Sequence, residues 1–197
     1  MTDNDPTEDK PLGPTAADVP LDKLPTVTLT DDQLQDAQRI AEARNESYNE
    51  IDGGRVCGDQ TSTDAHTTGT FGELVYATRY NAQIDDSVYA RGDDGHDFAS
   101  GPLTIDVKTT GTHIDRPALI VPTDPEPIAD LYFLVHRIEE EVGRIIGFAT
   151  HATVVNRTAI PKPGDDLNYV IEQDELWLPP DLNESPRDEP SNQSPTS

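Results

Sequence analysis

The segment Gly92–Thr110 reads GDDGHDFASGPLTIDVKTT. Leu103, Ile105 and Val107 alternate in it with Thr104, Asp106 and Lys108, and a strand puts the two sets on opposite faces. Asp106 and Lys108 therefore project side by side. A turn centred on Ser100-Gly101 would pair Asp97 with Thr104. That pairing sets Asp97 on the same face, about 7–8 Å diagonally from Asp106. Two carboxylates so placed can share one hard cation. Mg²⁺ takes oxygen ligands at ~2.0–2.1 Å and keeps several waters. A lysine beside the ion can orient one of those waters and help to deprotonate it.

In so acidic a chain the pattern acid-x-Lys is expected about 0.8 times by chance, and it occurs twice. Glu8-Asp9-Lys10 falls in a polar, proline-containing stretch and reads as the accident. Asp106-Val107-Lys108 follows a tight turn, sits in the strongest strand of the chain and has a third acid at matching register. Lys108 is also the sole lysine between residues 24 and 161 of a chain that otherwise uses arginine. The plain alternatives stay open: an Asp106–Lys108 surface ion pair, Asp97 as a turn residue, Glu73 as a solvated helix acid. His96, His113, His136 and His151 have no metal-ligand spacing, and Cys57 is the single cysteine, so no cysteine cluster or internal disulfide is available.

The elements that must position these residues are legible in part. Thr30-Asp31-Asp32-Gln33 forms a capping box with acids in the first turn. Leu34, Ala37, Ala41, Tyr48 and Ile51 continue a helix that Gly53-Gly54 stops. A second helix is predicted at about 70–80, with Phe71, Leu74, Val75 and Thr78 on one face. Strands follow at Ser87–Ala90, His96–Phe98, Leu103–Thr109, Ala118–Val121, Asp130–Ile138, Gly143–Ala149 and Tyr169–Ile171, with a short helix at 151–156 and Glu175–Leu178 docking the end. Residues 1–29 and 181–197 read as disordered tails around one domain at 30–180. The fold class is α/β (α+β), a central mixed sheet covered by helices.

Asp97 followed nine residues later by Asp106-Val107-Lys108 resembles the PD-(D/E)XK nuclease core, whose signature is an Asp at the start of a hairpin and (D/E)-x-K on the next strand. Gly69-Thr70-Phe71-Gly72-Glu73 is similar to the GxxGE start of the helix that supplies a further acid in several branches. The resemblance covers roughly residues 30–180 and implies a restriction-endonuclease-like core and Mg²⁺-dependent phosphodiester hydrolysis, with Mn²⁺ as a substitute. It implies Asp97, Asp106 and the Val107 backbone carbonyl as metal ligands. Lys108 would position the attacking water and lower its pKa. Glu73 would reach the ion through water or hold a second one, and Gly72 would let its helix approach the sheet. The third motif has Asp where Glu is commoner, and no proline precedes Asp97.

Composition sets the remaining bounds. The chain has 197 residues, 38 acidic and 14 basic, for a formal net charge of −24. Asp outnumbers Glu 25 to 13 and Arg outnumbers Lys 10 to 4, a balance that fits multimolar salt, where a Debye length of ~3 Å screens self-repulsion. No apolar run approaches the ~18 residues of a spanning helix, and MTDNDPTEDK is not a signal sequence, so a cytoplasmic, halophilic protein is expected. The partner implied is nucleic acid, with DNA first, and no membrane; a homodimer is allowed for. Residues 31–180 hold 28 acids against 11 bases, so phosphate contacts must be short-range. Arg39, Arg44, Arg55, Arg79, Arg91 and Arg116 are the candidates. A catalytically inactive binding or assembly protein on the same fold is the alternative.

Overall fold

Thr30 opens the first long helix as its sequence demands. Its backbone N–H donates to Gln33 Oε1 (2.9 Å) and its hydroxyl accepts from the Gln33 N–H (3.3 Å), which satisfies two donors that a helix start leaves orphaned. Helix α1 spans Asp31–Asn49 and α2 spans Ser62–Tyr80. The computed structural model describes residues 14–49, 62–84, 95–162 and 166–179. The expected strand at Ser87–Ala90, the helix stop at Gly53-Gly54, Cys57 and the tail at 181–197 lie outside the described residues. α2 begins eight residues before the predicted start. The added stretch, Ser62–Gly69, is rich in Thr and lacks apolar periodicity, so its pattern gives no helical signal.

Among the described residues the strands are β1 (Thr26–Thr28), β2 (Phe98–Ser100), β3 (Leu103–Thr110), β4 (Ala118–Pro122), β5 (Leu131–Arg137), β6 (Val142–Thr150), β7 (Ile160–Pro161) and β8 (Leu167–Glu172), and a short helix α3 covers His151–Val155. Five strands form a mixed sheet in the order β1-β6-β5-β3-β2, and β4-β8-β7 form a second sheet. Within the larger sheet only β3 and β5 run parallel. The β3-to-β5 connection therefore has to cross over, and it does so through β4.

Alternation along the central strands divides the interior in two. Ile105, Val107, Phe133, Val135 and Ile145 face α2 and meet Phe71, Leu74 and Val75. Tyr132, Leu134 and Ile146 face the other way and meet Leu119, Val121 and Ile171 of the second sheet and Val154 of α3. The mixed sheet flanked by helices is thus present, but a second sheet shares the face opposite α2. Every residue of α2 from Thr70 to Ala77 is buried, because α1 covers its outer side.

Two glycines make this packing possible. A Cβ on Gly72 would collide with the Thr109 side chain, and one on Gly143 would stand 2.5 Å from Val75 Cγ2. α2 therefore lies directly on β3 and β6. No helix among the described residues is long and apolar enough to cross a membrane.

The N-terminal boundary needs correction. Residues 14–29, read as part of a disordered tail, are built into the domain. β1 pairs with the edge of β6, and Ala16, Leu24, Val27 and Leu29 are buried. Ala16 N–H donates to Leu176 O (2.8 Å) and Leu178 N–H to Pro14 O (3.1 Å). Three prolines and scattered acids hide these four anchors, which are too few and too irregularly spaced to show a period. At the other end, Trp177 exchanges backbone hydrogen bonds with Phe148 (2.9 Å each), so Glu175–Leu178 does dock on β6.

A chain starting at residue 30 therefore loses an edge strand and four buried side chains. Burial of a single leucine is worth ~2–5 kcal/mol against alanine, and whole domains hold only ~5–15 kcal/mol. In multimolar KCl the chain starting at residue 14 should melt cooperatively and the chain starting at residue 30 should not. Equal melting curves by circular dichroism would show that residues 14–29 add nothing to the core.

Candidate active site

The hairpin β2–β3 turns at Gly101-Pro102, with Ser100 facing Leu103, Ala99 facing Thr104 and Phe98 facing Ile105. Gly101 has φ +61° and Pro102 is confined to negative φ, the combination of a type II′ turn. The register thus differs by two residues from the expected Asp97–Thr104 pairing. Sequence reasoning centred the turn one residue too early, because it took Gly101 as the second turn residue. A two-residue slip keeps side-chain parity, so the assignment of faces within the hairpin is unchanged.

Regular pairing stops at Phe98. The Asp97 N–H donates to Ile105 O (2.8 Å), and the Asp97 side chain then takes over the edge of β3, Oδ2 accepting the Val107 N–H (2.6 Å). A buried strand N–H must find an acceptor, and here a carboxylate replaces the missing strand. The N–H and C=O of one strand residue leave from the same edge, so the Val107 carbonyl opens toward the gap that Asp97 fills.

Asp106 and Lys108 share one face of β3, as their spacing requires, and form an ion pair with Lys108 Nζ 2.7 Å from Asp106 Oδ2. Glu73 comes from α2 on the helical side and is 5% exposed. Arg44 of α1 grips it with two hydrogen bonds, Nη1 to Oε1 at 2.6 Å and Nη2 to Oε2 at 3.0 Å. The Asp97 carboxyl sits at the edge of β3, on the Val107 N–H. Burial, then the charges of Glu73 and Asp106, hold its carboxyl well above the usual carboxylate range, while Lys108 and the Val107 N–H pull it partway back. Asp97 thus feels the charges of Glu73, Asp106 and Lys108, with Asp106 and Lys108 on the β3 face opposite α2 and Glu73 on the helical side.

Several neighbours carried no sequence signal as site residues. Tyr132 faces Asp106 across the parallel β3–β5 ladder, and its hydroxyl accepts the Ala129 N–H (3.0 Å). Burial pushes its phenol up to about 12. Asp130 Oδ2 accepts from the Thr104 N–H (2.8 Å) and hydroxyl (2.9 Å), and the Asp130 N–H donates back to Thr104 Oγ1 (3.0 Å). These bonds hold the Asp130 carboxyl below its usual range and pin the start of β5 to β3. Neither residue could be placed without knowing that β5 pairs with β3. Of the proposed phosphate contacts, Arg44 engages the Glu73 carboxylate, Arg39 pairs with Asp36 on the outer side of α1, and Arg55 and Arg91 lie outside the described residues. Asp93 and Asp94 also lie outside them.

The donor set suits a hard cation. Asp97, Asp106 and the Val107 carbonyl offer oxygen only, the ligand type that a hard divalent ion takes. Among the described residues, however, no three His, Cys, Asp or Glu side chains close into a metal-binding group. Arg44 and Lys108 engage Glu73 and Asp106 directly. A separate cleft of about 410 Å³ opens beyond the end of β3, lined by Thr68, Gly111, Thr112, His113, Arg137 and Glu140. None of the four site residues lines it, and Arg137 spends Nε and Nη2 on backbone carbonyls.

Comparison with known proteins gives no match to any family model, curated protein or solved structure.

The Asp97 carboxylate is a cost to the folded state. Its folded-state pKa lies above the unfolded one, so the penalty is full above the folded pKa and is lost progressively as pH falls from there to the unfolded pKa. With divalent ions chelated, Asp97→Asn should melt above the wild type at neutral pH, since the amide oxygen can still accept the Val107 N–H. The gap should close as the solution is acidified toward the ordinary carboxylate pKa. A variant that melts below the wild type at neutral pH would show that the charge stabilises the fold.

Proposed function

We propose that this protein is a metal-dependent nuclease of the PD-(D/E)XK kind, hydrolysing phosphodiester bonds in DNA with Mg²⁺ or Mn²⁺. The observation that carries the reading is the Asp97 carboxyl, bonded to the Val107 N–H of the strand that bears Asp106 and Lys108 and within electrostatic reach of both and of Glu73. The topology supports it. A hairpin carries the two motif acids, the following sheet strand β5 runs parallel to β3, and the helix bearing Glu73 crosses β3 at a glycine.

Asp97 and Asp106, with the Val107 carbonyl, would hold the ion. When bound, Mg²⁺ supplies Lewis-acid stabilisation of the charge that develops on the phosphoryl oxygens and acidifies a water. Lys108, held by its 2.7 Å contact with Asp106, would orient the attacking water. The Val107 N–H fixes the orientation of the Asp97 carboxylate. Glu73, neutralised by Arg44, anchors α2 behind the pair. In high salt little counterion release is available, so the substrate would be held by short hydrogen bonds and by the ion.

One observation favours a second reading, a binding or assembly protein that keeps the fold without catalysis. Both Glu73 and Asp106 already face a protein cation, as they would in a site that no longer binds metal.

Cleavage of linear, circular and branched DNA in multimolar KCl with Mg²⁺ or Mn²⁺ separates the two. The wild type should cleave, and Asp106→Asn should be inactive because it loses a metal ligand. Lys108→Ala should keep its Mn²⁺ affinity and lose about 10²–10⁴-fold in rate. Lys108→Arg should not restore it, because a guanidinium is a poor proton acceptor of different shape. No cleavage by the wild type on any of these substrates favours the second reading. Cleavage by Lys108→Ala at the wild-type rate refutes the role given to the lysine.

A further inference from the structure

Four strands place one residue each in a row across the larger sheet, at the end where β3 stops. Thr110 of β3 stands beside His136 of β5, His136 opposite Arg144 of β6, and Arg144 opposite Thr26 of β1. His136 follows the parity of Tyr132 and Leu134 and so turns away from α2. Arg144 does the same, because Gly143 and Ile145 on either side of it face the helix. Directly opposed side chains start only ~4.5–5.5 Å apart. His136 is 8% exposed, yet neither its Nδ1 nor its Nε2 has a hydrogen-bond partner, and the buried Nε of Arg144 has none. Burial and then the Arg144 charge hold the imidazole below its usual pKa, and the Gly111 backbone pulls it partway back without closing a hydrogen bond.

Buried polar groups are bonded almost without exception, so three bare nitrogens on two opposed side chains call for a ligand. The pair also lacks a counter-charge. In a chain of 38 acids, Arg39, Arg44 and Arg157 each meet a carboxylate. Among the described residues none pairs with Arg144 and none acts on His136. A water would satisfy the hydrogen bonds and leave the charge, whereas an anion answers both. The ligand has to be small. Neither residue lines the cleft of about 410 Å³, and the gap between two opposed side chains suits a single atom. It also has to be an acceptor, since arginine only donates and imidazole keeps at least one N–H in either protonation state. We propose that His136 and Arg144 hold a chloride ion between β5 and β6. The ion ties the two strands together beside the irregularity at Leu134/Val135. It makes the fold depend on halide itself and not only on the screening that salt supplies.

Melting of the full chain by circular dichroism, at one fixed multimolar potassium concentration, tests this without any assay of activity. Chloride is replaced by gluconate, which is too bulky for the gap, and then by bromide, which is close to chloride in size and charge. Arg144→Met and His136→Phe each lose their donors, keep an apolar side chain and report the general effect of each exchange. Relative to both variants the wild type should lose roughly 5–10 °C in gluconate if chloride stands ~100-fold above its Kd, and bromide should restore it. A wild type that shifts in parallel with either variant overturns the inference. Should the variants fail to fold, diffraction from wild-type crystals grown in potassium bromide, recorded at the bromine absorption edge, decides. An anomalous peak between His136 and Arg144 supports the inference, and bromide found only elsewhere on the protein overturns it.

Discussion

The site depends on where β2 ends. Past Phe98 one backbone bond remains, from the Asp97 N–H to Ile105 O, and the Val107 N–H is met by the Asp97 side chain at 2.6 Å. That bond draws a carboxylate to the edge of the same strand that carries Asp106 and Lys108. It also fixes the Asp97 carboxyl in a place where burial and two neighbouring acids oppose its ionisation. An ordinary turn residue would have no reason to be held there. The price in stability is local, and the surrounding apolar packing on both faces of β3 is what sustains it.

The second requirement is the depth at which α2 lies. Gly72 rests on Thr109 with no room for a side chain, so the next residue, Glu73, is carried down to the level of the sheet. Its charge would be untenable there alone, and Arg44 of α1 meets it. The two long helices thus do more than cover the sheet. α2 delivers an acid, and α1 delivers the cation that makes the acid tolerable. Asp130 plays a comparable part on the other side of β3, tying the start of β5 to Thr104 and so fixing the register that brings Tyr132 beside Asp106.

Much of this was legible because it is local. The capping box at Thr30, the alternation through Leu103–Lys108 and the shared face of Asp106 and Lys108 follow from periods of 3.6 and 2. The tight approach at Gly72 was expected from the resemblance at Gly69–Glu73, and the clash of a Cβ there with Thr109 agrees with it. What escaped was non-local. β1 is three residues long and gains its place from the edge of β6. The early start of α2 falls in a stretch with no apolar period. The second sheet on the face opposite α2, and the pairing of Tyr132 with Asp106, depend on a parallel crossover that no short-range pattern announces. The hairpin register was misjudged by two residues, and parity alone preserved the faces.

The central claim is that Asp97 and Asp106 share one divalent ion. Diffraction from crystals grown with Mn²⁺, recorded on both sides of the manganese absorption edge, tests it most directly. One anomalous peak bridging the Asp97 and Asp106 carboxylates beside the Val107 carbonyl, with Arg44 still on Glu73, is the result expected. Crystals that show manganese only on the acidic surface, and none at β3, would contradict the claim.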